Sequence, residues 1–229
     1  MRDVIIACDF SSKEELLSFL KLMSGEKPFL KIGMELFYKE GPKLVEELKV
    51  QGYRIFLDLK LHDIPNTVYK AMRNIALLNV DITNVHAAGG IKMMQAAKQA
   101  IDEVGSNTLL IAVTQLTSIS EDILHNELLI EKSMNDTIKR YAINTKEAGL
   151  VGVVCSPLEA KIMNDLGLIS VTPGIRNLED SNDDQIRVTT PRMARELGST
   201  FIVVGRSITN AIDPLKAYRY CLKEFIDEN

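Results

Sequence analysis

The chain has 229 residues, of which 46% are apolar and 25% are charged, and its formal net charge is -4. This length suits one large α/β domain, and the weak negative charge excludes global attraction to nucleic acid or to an anionic membrane. No apolar run approaches the roughly 18 residues of a membrane span and the first residues match no signal peptide, so we expect a cytoplasmic protein with no membrane partner.

Eight apolar runs with strand character recur along the chain at intervals of roughly 25 to 30 residues. In chain order they are VIIACDF from Val4, FLKIGMEL from Phe29, RIFLDLK from Arg54, DITNVHA from Asp81, TLLIAVTQL from Thr108, VGVVCS from Val151, ISVTPGI from Ile169 and FIVVGRS from Phe201. Amphipathic stretches separate them, and several of these end on glycine as helices do. The pattern predicts a single α/β domain over residues 1–229, a parallel (β/α)8 barrel.

One connection is longer than the others and runs from Thr117 to about Met134. It contains its own helical segment, EDILHNELL, which we interpret as an elaborated βα loop. Such loops lie at the carboxyl ends of barrel strands, where the active sites of these barrels are found.

Most of the predicted strands end in residues of a kind that active sites use. They are Asp9 at the end of strand one, Asp58 and Lys60 on strand three, His86 at the end of strand four, Thr117 and Ser118 at the end of strand five, Pro173 and Gly174 followed by Arg176 at the end of strand seven, and Gly205 and Arg206 at the end of strand eight. Strand ends are polar in any barrel, so each residue alone also has a purely structural interpretation. Lys31 differs because it lies within an apolar strand, and a lysine inside a barrel needs a carboxylate partner. Asp58, on the adjacent strand, is the natural candidate.

The segment DLKLHDIPNTV, from Asp58 to Val68, carries three ionisable groups of alternating sign at its start. Regular alternation along the strand places Asp58 and Lys60 on the same face, so that a carboxylate stands beside an ammonium group. Asp63 follows just before Ile64 and Pro65, and proline suits the first turn of a helix. We therefore expect chemistry at this strand-to-helix junction, the alternative being a surface salt bridge with an aspartate near a helix N-cap.

Neither the histidines nor the cysteines predict a metal site. His62, His86 and His125 lack the spacing of metal ligands, so no metal is expected. His86 either lines the barrel or is a hydrogen-bonded core residue, and His62 is expected to point away from the site. Three widely separated cysteines fit reduced structural thiols.

Together these motifs resemble the orotidine 5'-phosphate decarboxylase family, and the resemblance spans nearly the whole chain. A lone D-x-K-x-x-D motif is weak, but several motifs in the right order and on the right strands are specific. The matching segments are A-x-D at Ala7 to Asp9, K-I-G at Lys31 to Gly33, D-x-K-x-x-D at Asp58 to Asp63, L-T-S at Leu116 to Ser118, T-P-G-I-R at Thr172 to Arg176, and V-V-G-R-S-I-T at Val203 to Thr209.

The resemblance implies decarboxylation of orotidine 5'-phosphate to UMP and CO2 without a cofactor, the last step of de novo UMP biosynthesis. It implies that Lys60 stabilises the carbanion and donates the proton, within a charged array of Lys31, Asp58, Lys60 and Asp63. Lys31 would orient Asp58, and the flanking carboxylates would favour the ammonium form of Lys60. By the same resemblance the enzyme is a homodimer, in which Asp63, Ile64 and Thr67 enter the site from the neighbouring subunit.

The substrate-binding residues are expected on the same grounds. Asp9 and Thr67 would hold ribose hydroxyls, while Thr117 and Ser118 would contact the pyrimidine edge. Gly205 and Arg206 would hold the phosphate, over which Arg176 and Gln185 would close as a lid. Lys31 and Asp58 would complete the substrate-binding set.

Two alternatives remain open. Sugar-phosphate decarboxylases and aldolases of the 3-keto-gulonate and hexulose phosphate type share D-x-K-x-x-D, and they use a divalent metal bound partly by a glutamate at the second-strand position. Here that position is Lys31, which would repel Mg²⁺. The other alternative is a catalytically silent barrel that only binds nucleotides or partners, against which the intact acid-base residues argue.

Overall fold

The structure is a computed structural model that describes residues 2–176 and 189–226. Within these residues, eight parallel strands close into a barrel in chain order, each paired with the next and the last with the first. The strands are β1 Asp3–Ala7, β2 Phe29–Gly33, β3 Ile55–Leu61, β4 Ile82–His86, β5 Leu109–Val113, β6 Gly152–Val154, β7 Ile169–Thr172 and β8 Phe201–Val204. The predicted (β/α)8 barrel is confirmed.

Helices cover the outside of the barrel. They are α1 Lys13–Leu22, α2 Met34–Glu40, α3 Pro42–Val50, α4 Pro65–Leu77, α5 Gly90–Val104, α6 Glu121–Asn126, α7 Met134–Glu147, α8 Ala160–Asp165, α9 Pro191–Glu196, α10 Arg206–Thr209 and α11 Pro214–Ile226. The predicted helical segment in the long connection after β5 is α6. In the described part of the chain, none of these helices is long and apolar enough to cross a membrane.

The two faces of each strand contribute to different parts of the core. Side chains that point into the barrel form one apolar cluster, which includes Ile5, Phe29, Phe56 and Phe201. Side chains on the other face pack beneath the helices in a second, larger cluster. Because side chains alternate along a strand, residues two positions beyond the interior aromatics also face inward, and those after Phe29 and Phe56 are Lys31 and Asp58.

Several strands end before the apolar runs that predicted them, and β2 and β5 are two examples. Strand two was expected to continue to Leu36, but β2 ends at Gly33 and α2 begins at Met34. Strand five was expected to reach Leu116, but β5 ends at Val113. Apolar residues beyond a strand end can be buried by a following helix or turn as well as by a sheet, so their hydrophobicity alone did not mark the boundary.

Candidate active site

A cavity of about 630 Å³ lies at the carboxyl ends of the strands. This volume is within the range of small-molecule binding sites. Nine of the residues predicted from the sequence line it: Asp9, Lys31, Asp58, Lys60, Thr117, Ser118, Arg176, Gly205 and Arg206. The strands therefore bring together residues from both halves of the chain, as the barrel topology requires.

Four charged side chains alternate in sign along one wall of this cavity. Lys31 Nζ donates to Asp9 Oδ1 at 2.7 Å and lies 3.7 Å from Asp58 Oδ2. Lys60 Nζ donates to the other carboxylate oxygen, Asp58 Oδ1, at 2.8 Å. Asp58 was expected to be the partner of Lys31, but the shorter contact of Lys31 is with Asp9, which follows the end of the neighbouring strand β1.

The electrostatics of the array keep its buried members charged. Burial opposes the charge of Lys31, but the carboxylates of Asp9 and Asp58 outweigh it, so the pKa of Lys31 is raised. Burial likewise favours the neutral form of Asp58. The ammonium groups of Lys31 and Lys60 and hydrogen bonds from Lys60 and Asn84 outweigh it, so the pKa of Asp58 is lowered.

Lys60 lies in a distortion of β3. Leu57 pairs with Thr83 and Leu61 pairs with Val85, so three residues of β3 face a single residue of β4. Within this bulge Lys60 has a φ of 51°, which lies in the left-handed region that residues other than glycine rarely adopt. Simple alternation correctly predicted that the Asp58 and Lys60 side chains meet, but it did not predict this irregularity.

Gly33 leaves room for the ion pair between Lys31 and Asp9. A Cβ atom at this position would lie 3.1 Å from Asp9 Oδ1 and 3.2 Å from Lys31 Nζ, closer than ordinary van der Waals contact. The glycine that ends β2 therefore has a spatial reason. The K-I-G motif combines the lysine with the space that its partner needs.

Asp63, Ile64 and Thr67 do not line the cavity within this chain. They belong to an exposed run over residues 62–67. Asp63 Oδ1 accepts a hydrogen bond from the Ile64 backbone N–H at 2.7 Å, and the apolar side chain of Ile64 is 67% exposed just before Pro65 begins α4. The structure thus brings together three members of the predicted four-residue array.

The opposite wall contains Thr117 and Ser118 and, near β7, Arg176. The backbone of Arg176 donates to the carbonyl of Thr189 at 3.0 Å, and Thr189 donates to Gly174 at 3.0 Å. These contacts join the two ends of the segment that contains Gln185. That predicted binding residue lies outside the described residues.

The His62 and His86 rings stack beside the site, with their centroids 5.5 Å apart. Neither residue lines the cavity. Burial, with the nearby His62 and Lys60, lowers the pKa of His86. Its buried Nδ1 has no hydrogen-bond partner among the described residues, so the expectation of a hydrogen-bonded core histidine is not met at that atom.

Two buried polar residues were missed by the sequence reasoning. Asn84 is fully buried in β4 and contacts both Asp58 and Lys60. Gln115 is 9% exposed and lines the cavity after β5. Each is a polar residue within an apolar run, DITNVHA or TLLIAVTQL, and that exception to the pattern was the available signal.

The cysteines and acidic residues do not form a further site in the described part of the chain. Cys8, Cys155 and Cys221 are buried, which fits their expected structural role. No group of three His, Cys, Asp or Glu side chains among the described residues is arranged to hold a metal ion.

Comparison with known proteins gives consistent results. Residues 2–221 match the model of the orotidine 5'-phosphate decarboxylase / HUMPS family. The chain is 52% identical over 225 residues to the orotidine 5'-phosphate decarboxylases of Bacillus cereus (strain Q1) and Bacillus cytotoxicus, an alignment that covers 95% of this chain and 94% of each relative.

Solved structures agree with these relatives. The crystal structure of orotidine 5'-phosphate decarboxylase from Lactobacillus acidophilus superposes with a TM-score of 0.89 at 43% identity, covering 99% of this chain and 100% of the other. An uncharacterised conserved protein from Geobacillus kaustophilus superposes with a TM-score of 0.85 at 46% identity, over 97% and 99% of the two chains.

Proposed function

Because the chain belongs to the orotidine 5'-phosphate decarboxylase / HUMPS family, we propose that it acts on orotidine 5'-phosphate in the cytoplasm. It is a carboxy-lyase that releases CO2 and forms UMP in the last step of UMP biosynthesis. The observation that carries the mechanistic proposal is the alternating array of Asp9, Lys31, Asp58 and Lys60 on the wall of a cavity of nucleotide size.

Loss of CO2 from the pyrimidine leaves an sp² carbanion that no adjacent carbonyl delocalises well. The protein must therefore stabilise it electrostatically, and a fixed ammonium group is suited to that task. Lys60 reaches the cavity and is held by Asp58 at 2.8 Å. In the proposed mechanism its ammonium group lies beside C6, stabilises the developing charge and then donates the proton as general acid.

Asp58 also faces the substrate carboxylate in this arrangement. Two like charges about 4 Å apart repel by roughly 4 kcal/mol at an effective dielectric constant of 20. That energy corresponds to about three decades in rate at most. Because decarboxylation of this kind needs a larger acceleration, we assign the larger share to stabilisation of the carbanion by Lys60.

Binding of the rest of the nucleotide follows from the other walls. Gly205 and Arg206 follow β8 at the phosphate position usual for these barrels, and Arg176 lines the cavity nearby after β7. In this proposal Thr117 and Ser118 contact the pyrimidine edge, and Asp9 contacts the ribose. In the same proposal the ammonium group of Lys31 lies between the carboxylates of Asp9 and Asp58 and reduces the repulsion between them.

The dimer is part of the proposal because Asp63 is exposed and does not line the cavity of its own chain. We expect Asp63, Ile64 and Thr67 to complete the site of a neighbouring subunit. In this arrangement the Ile64 side chain, which is 67% exposed in the single chain, would be buried against the second copy.

Mixed dimers test this arrangement. Lys60→Ala and Asp63→Ala should each be inactive alone, whereas random heterodimers contain one site with both residues intact. Activity should then recover to about a quarter of wild type after equal mixing and subunit exchange. If the mixture stays as inactive as its components although exchange is demonstrated, Asp63 does not act across the interface.

The alternative within the family is a metal-dependent enzyme acting on sugar phosphates. Lys31 Nζ lies 2.7 Å from Asp9 and 3.7 Å from Asp58, so its charge occupies the position between the two carboxylates. A divalent cation there would be repelled by the ammonium group. This observation favours the nucleotide substrate.

The deciding experiment is incubation of the purified protein with orotidine 5'-phosphate in the presence of EDTA. Loss of the ultraviolet absorbance of the orotate ring and release of CO2 are the measurements. Rapid formation of UMP is the expected result. No conversion by an intact dimer would overturn the proposed substrate and direct the search to metal-dependent sugar phosphates.

A further inference from the structure

We propose that Asn84 is a positioning residue for the decarboxylation, which fixes both Asp58 and the backbone of Lys60. The inference rests on the proposed function and deepens it. Asn84 does not line the cavity and is fully buried in β4, so it acts on the reaction only through these two neighbours.

The first step of the argument is the hydrogen bonding of the Asn84 side chain. Its Nδ2 donates to Asp58 Oδ1 at 2.7 Å, and its Oδ1 accepts from the Lys60 backbone N–H at 2.8 Å. A backbone N–H can only donate and an ionised carboxylate can only accept, so the two partners determine the orientation of the amide. An amide side chain supplies the donor and the acceptor that these two groups need.

The second step is the irregular pairing of the strands. Between the pairs Leu57 with Thr83 and Leu61 with Val85, Asn84 is the only residue of β4 opposite three residues of β3. Its side chain reaches into this bulge and accepts a hydrogen bond from the backbone N–H of Lys60. Lys60 has a φ of 51°, a conformation that persists only when its surroundings hold it.

The third step connects this support to the reacting group. Asp58 Oδ1 accepts from both Asn84 Nδ2 and Lys60 Nζ, so one oxygen is shared between the positioning residue and the proposed proton donor. Asn84 thus holds the backbone of Lys60 directly and its ammonium group through Asp58. Without these bonds Lys60 could relax to an ordinary strand conformation, and its ammonium group would move away from the substrate.

The test compares Asn84→Ala, Asn84→Asp and a matched control, Thr83→Val, with the wild type. Thr83 is also fully buried in β4, and its hydroxyl donates to the Leu57 carbonyl at 3.0 Å, so the control loses a buried hydrogen bond without touching the array. Turnover of orotidine 5'-phosphate, its KM, binding of UMP and thermal stability are measured for each protein.

Asn84→Ala should lower kcat by about 10- to 100-fold while UMP affinity changes by less than about threefold. Thr83→Val should leave kcat within about threefold of wild type. A folded Asn84→Ala enzyme with the kcat of the control overturns the proposal. If the wild type itself does not turn over orotidine 5'-phosphate, the proposed function fails instead.

Asn84→Asp provides a readout that a purely structural role would not move. When protonated, the new carboxyl group can donate to Asp58 and accept from Lys60 N–H as the amide does; when ionised, it repels Asp58. Asn84 contacts Asp58 and Lys60 on β3, and the array continues from Asp58 to Lys31 on β2 and Asp9 after β1. His86, two residues further along β4, interacts electrostatically with Lys60 and is present in every variant, so it affects their profiles alike.

The kcat of Asn84→Asp relative to wild type should therefore rise at least about fivefold between pH 8 and pH 5, whereas the ratio for Asn84→Ala should stay flat. Parallel profiles for the two variants overturn the proposal. If Asn84→Ala does not fold, the profile of Asn84→Asp decides alone. If neither variant folds, Asn84 is required for the barrel itself and the positioning role is rejected.

Discussion

Ion pairs lie at both ends of the barrel, but they are built differently. At the amino ends of the strands, Asp81 Oδ2 accepts from Lys49 Nζ and from the Ile55 backbone N–H, both at 2.7 Å, and Arg54 pairs with Asp3. None of these four charged residues lines the cavity. They fasten strands to each other and to α3, which is a structural role.

At the carboxyl ends, the charges of Lys31, Asp58 and Lys60 point at a cavity, and Lys60 has a strained backbone. A stabilising ion pair needs neither a cavity nor strain. The difference teaches that the type of residue is a poor guide to its role in this barrel. The charged residues that we propose to act on the substrate differ from the stabilising ion pairs in two ways: they border a cavity, and one of them has a strained backbone.

Lysine substitutions at the two ends test this comparison with the largest expected effect. Lys60→Ala removes the proposed carbanion stabiliser and proton donor, so kcat should fall by about 10⁴-fold or more. Lys49→Ala should keep kcat within about threefold and lower the free energy of unfolding by about 1 kcal/mol. Assays of turnover and chemical unfolding on both variants provide the measurement.

If Lys49→Ala is fully folded and still loses most of its turnover, the contrast between the two ends of the barrel is wrong. Substantial turnover in Lys60→Ala would reject the role assigned to that lysine. UMP binding by Lys60→Ala should persist, because the phosphate and pyrimidine contacts proposed above do not involve Lys60.

Much of this contrast could be predicted from the sequence. Polar residues at the ends of apolar strands located the end of the barrel that holds the cavity, because a parallel barrel brings all carboxyl ends to one face. The pairing of Lys31 could not be predicted in the same way. Asp58 is on an adjacent strand, but Asp9, beyond the end of β1 on the other side of β2, makes the shorter contact.

The bulge at Lys60 and the role of Asn84 were also beyond the sequence pattern. Alternation describes one strand, whereas a bulge is a property of two strands in register. The predicted strand RIFLDLK contained nothing that distinguished Lys60 from a regular strand residue. Only the pairing of β3 with β4 shows what the buried Asn84 binds there.

Acid unfolding should sharpen the comparison with a smaller effect. The pKa of Asp58 is lowered from its ordinary value of 3.8 because the Lys31 and Lys60 charges outweigh burial. Its contribution to stability is therefore complete above that ordinary value and is lost as pH falls through the lowered pKa. Asp58→Asn should reduce the slope of unfolding free energy against pH below about pH 4 by up to one proton, about 1.4 kcal/mol per pH unit.

Asp81→Asn, at the other end, is the matched control because it removes one carboxylate and leaves Asp58 in place. Chemical denaturation of both variants from pH 5 to pH 2 gives the slopes. Retention of the wild-type slope in Asp58→Asn would show that the array does not contribute to acid stability.

Gly33→Ala should give the smallest effect and tests how tightly the residues around the cavity are packed. The added Cβ would lie 3.1 Å from Asp9 Oδ1 and 3.2 Å from Lys31 Nζ, so this ion pair must shift by a few tenths of an ångström. We expect kcat/KM to fall about fivefold, since a small displacement of positioning groups is costly at a reacting centre. Steady-state kinetics measure the loss of kcat/KM, and thermal unfolding measures any loss of stability.

A double-mutant cycle with Asp9→Ala locates the origin of that effect. If the displaced ion pair is the cause, Gly33→Ala should cost less when Asp9 is already absent, because the closest atom has been removed. Equal costs in the two backgrounds would instead assign the effect to Lys31 alone or to the start of α2 at Met34. At the amino end of β6, Gly152 leaves room for the apolar Ile169 and not for an ion pair. A clear coupling energy at Gly33 would therefore show that the pair of Lys31 and Asp9 is positioned by space as well as by charge.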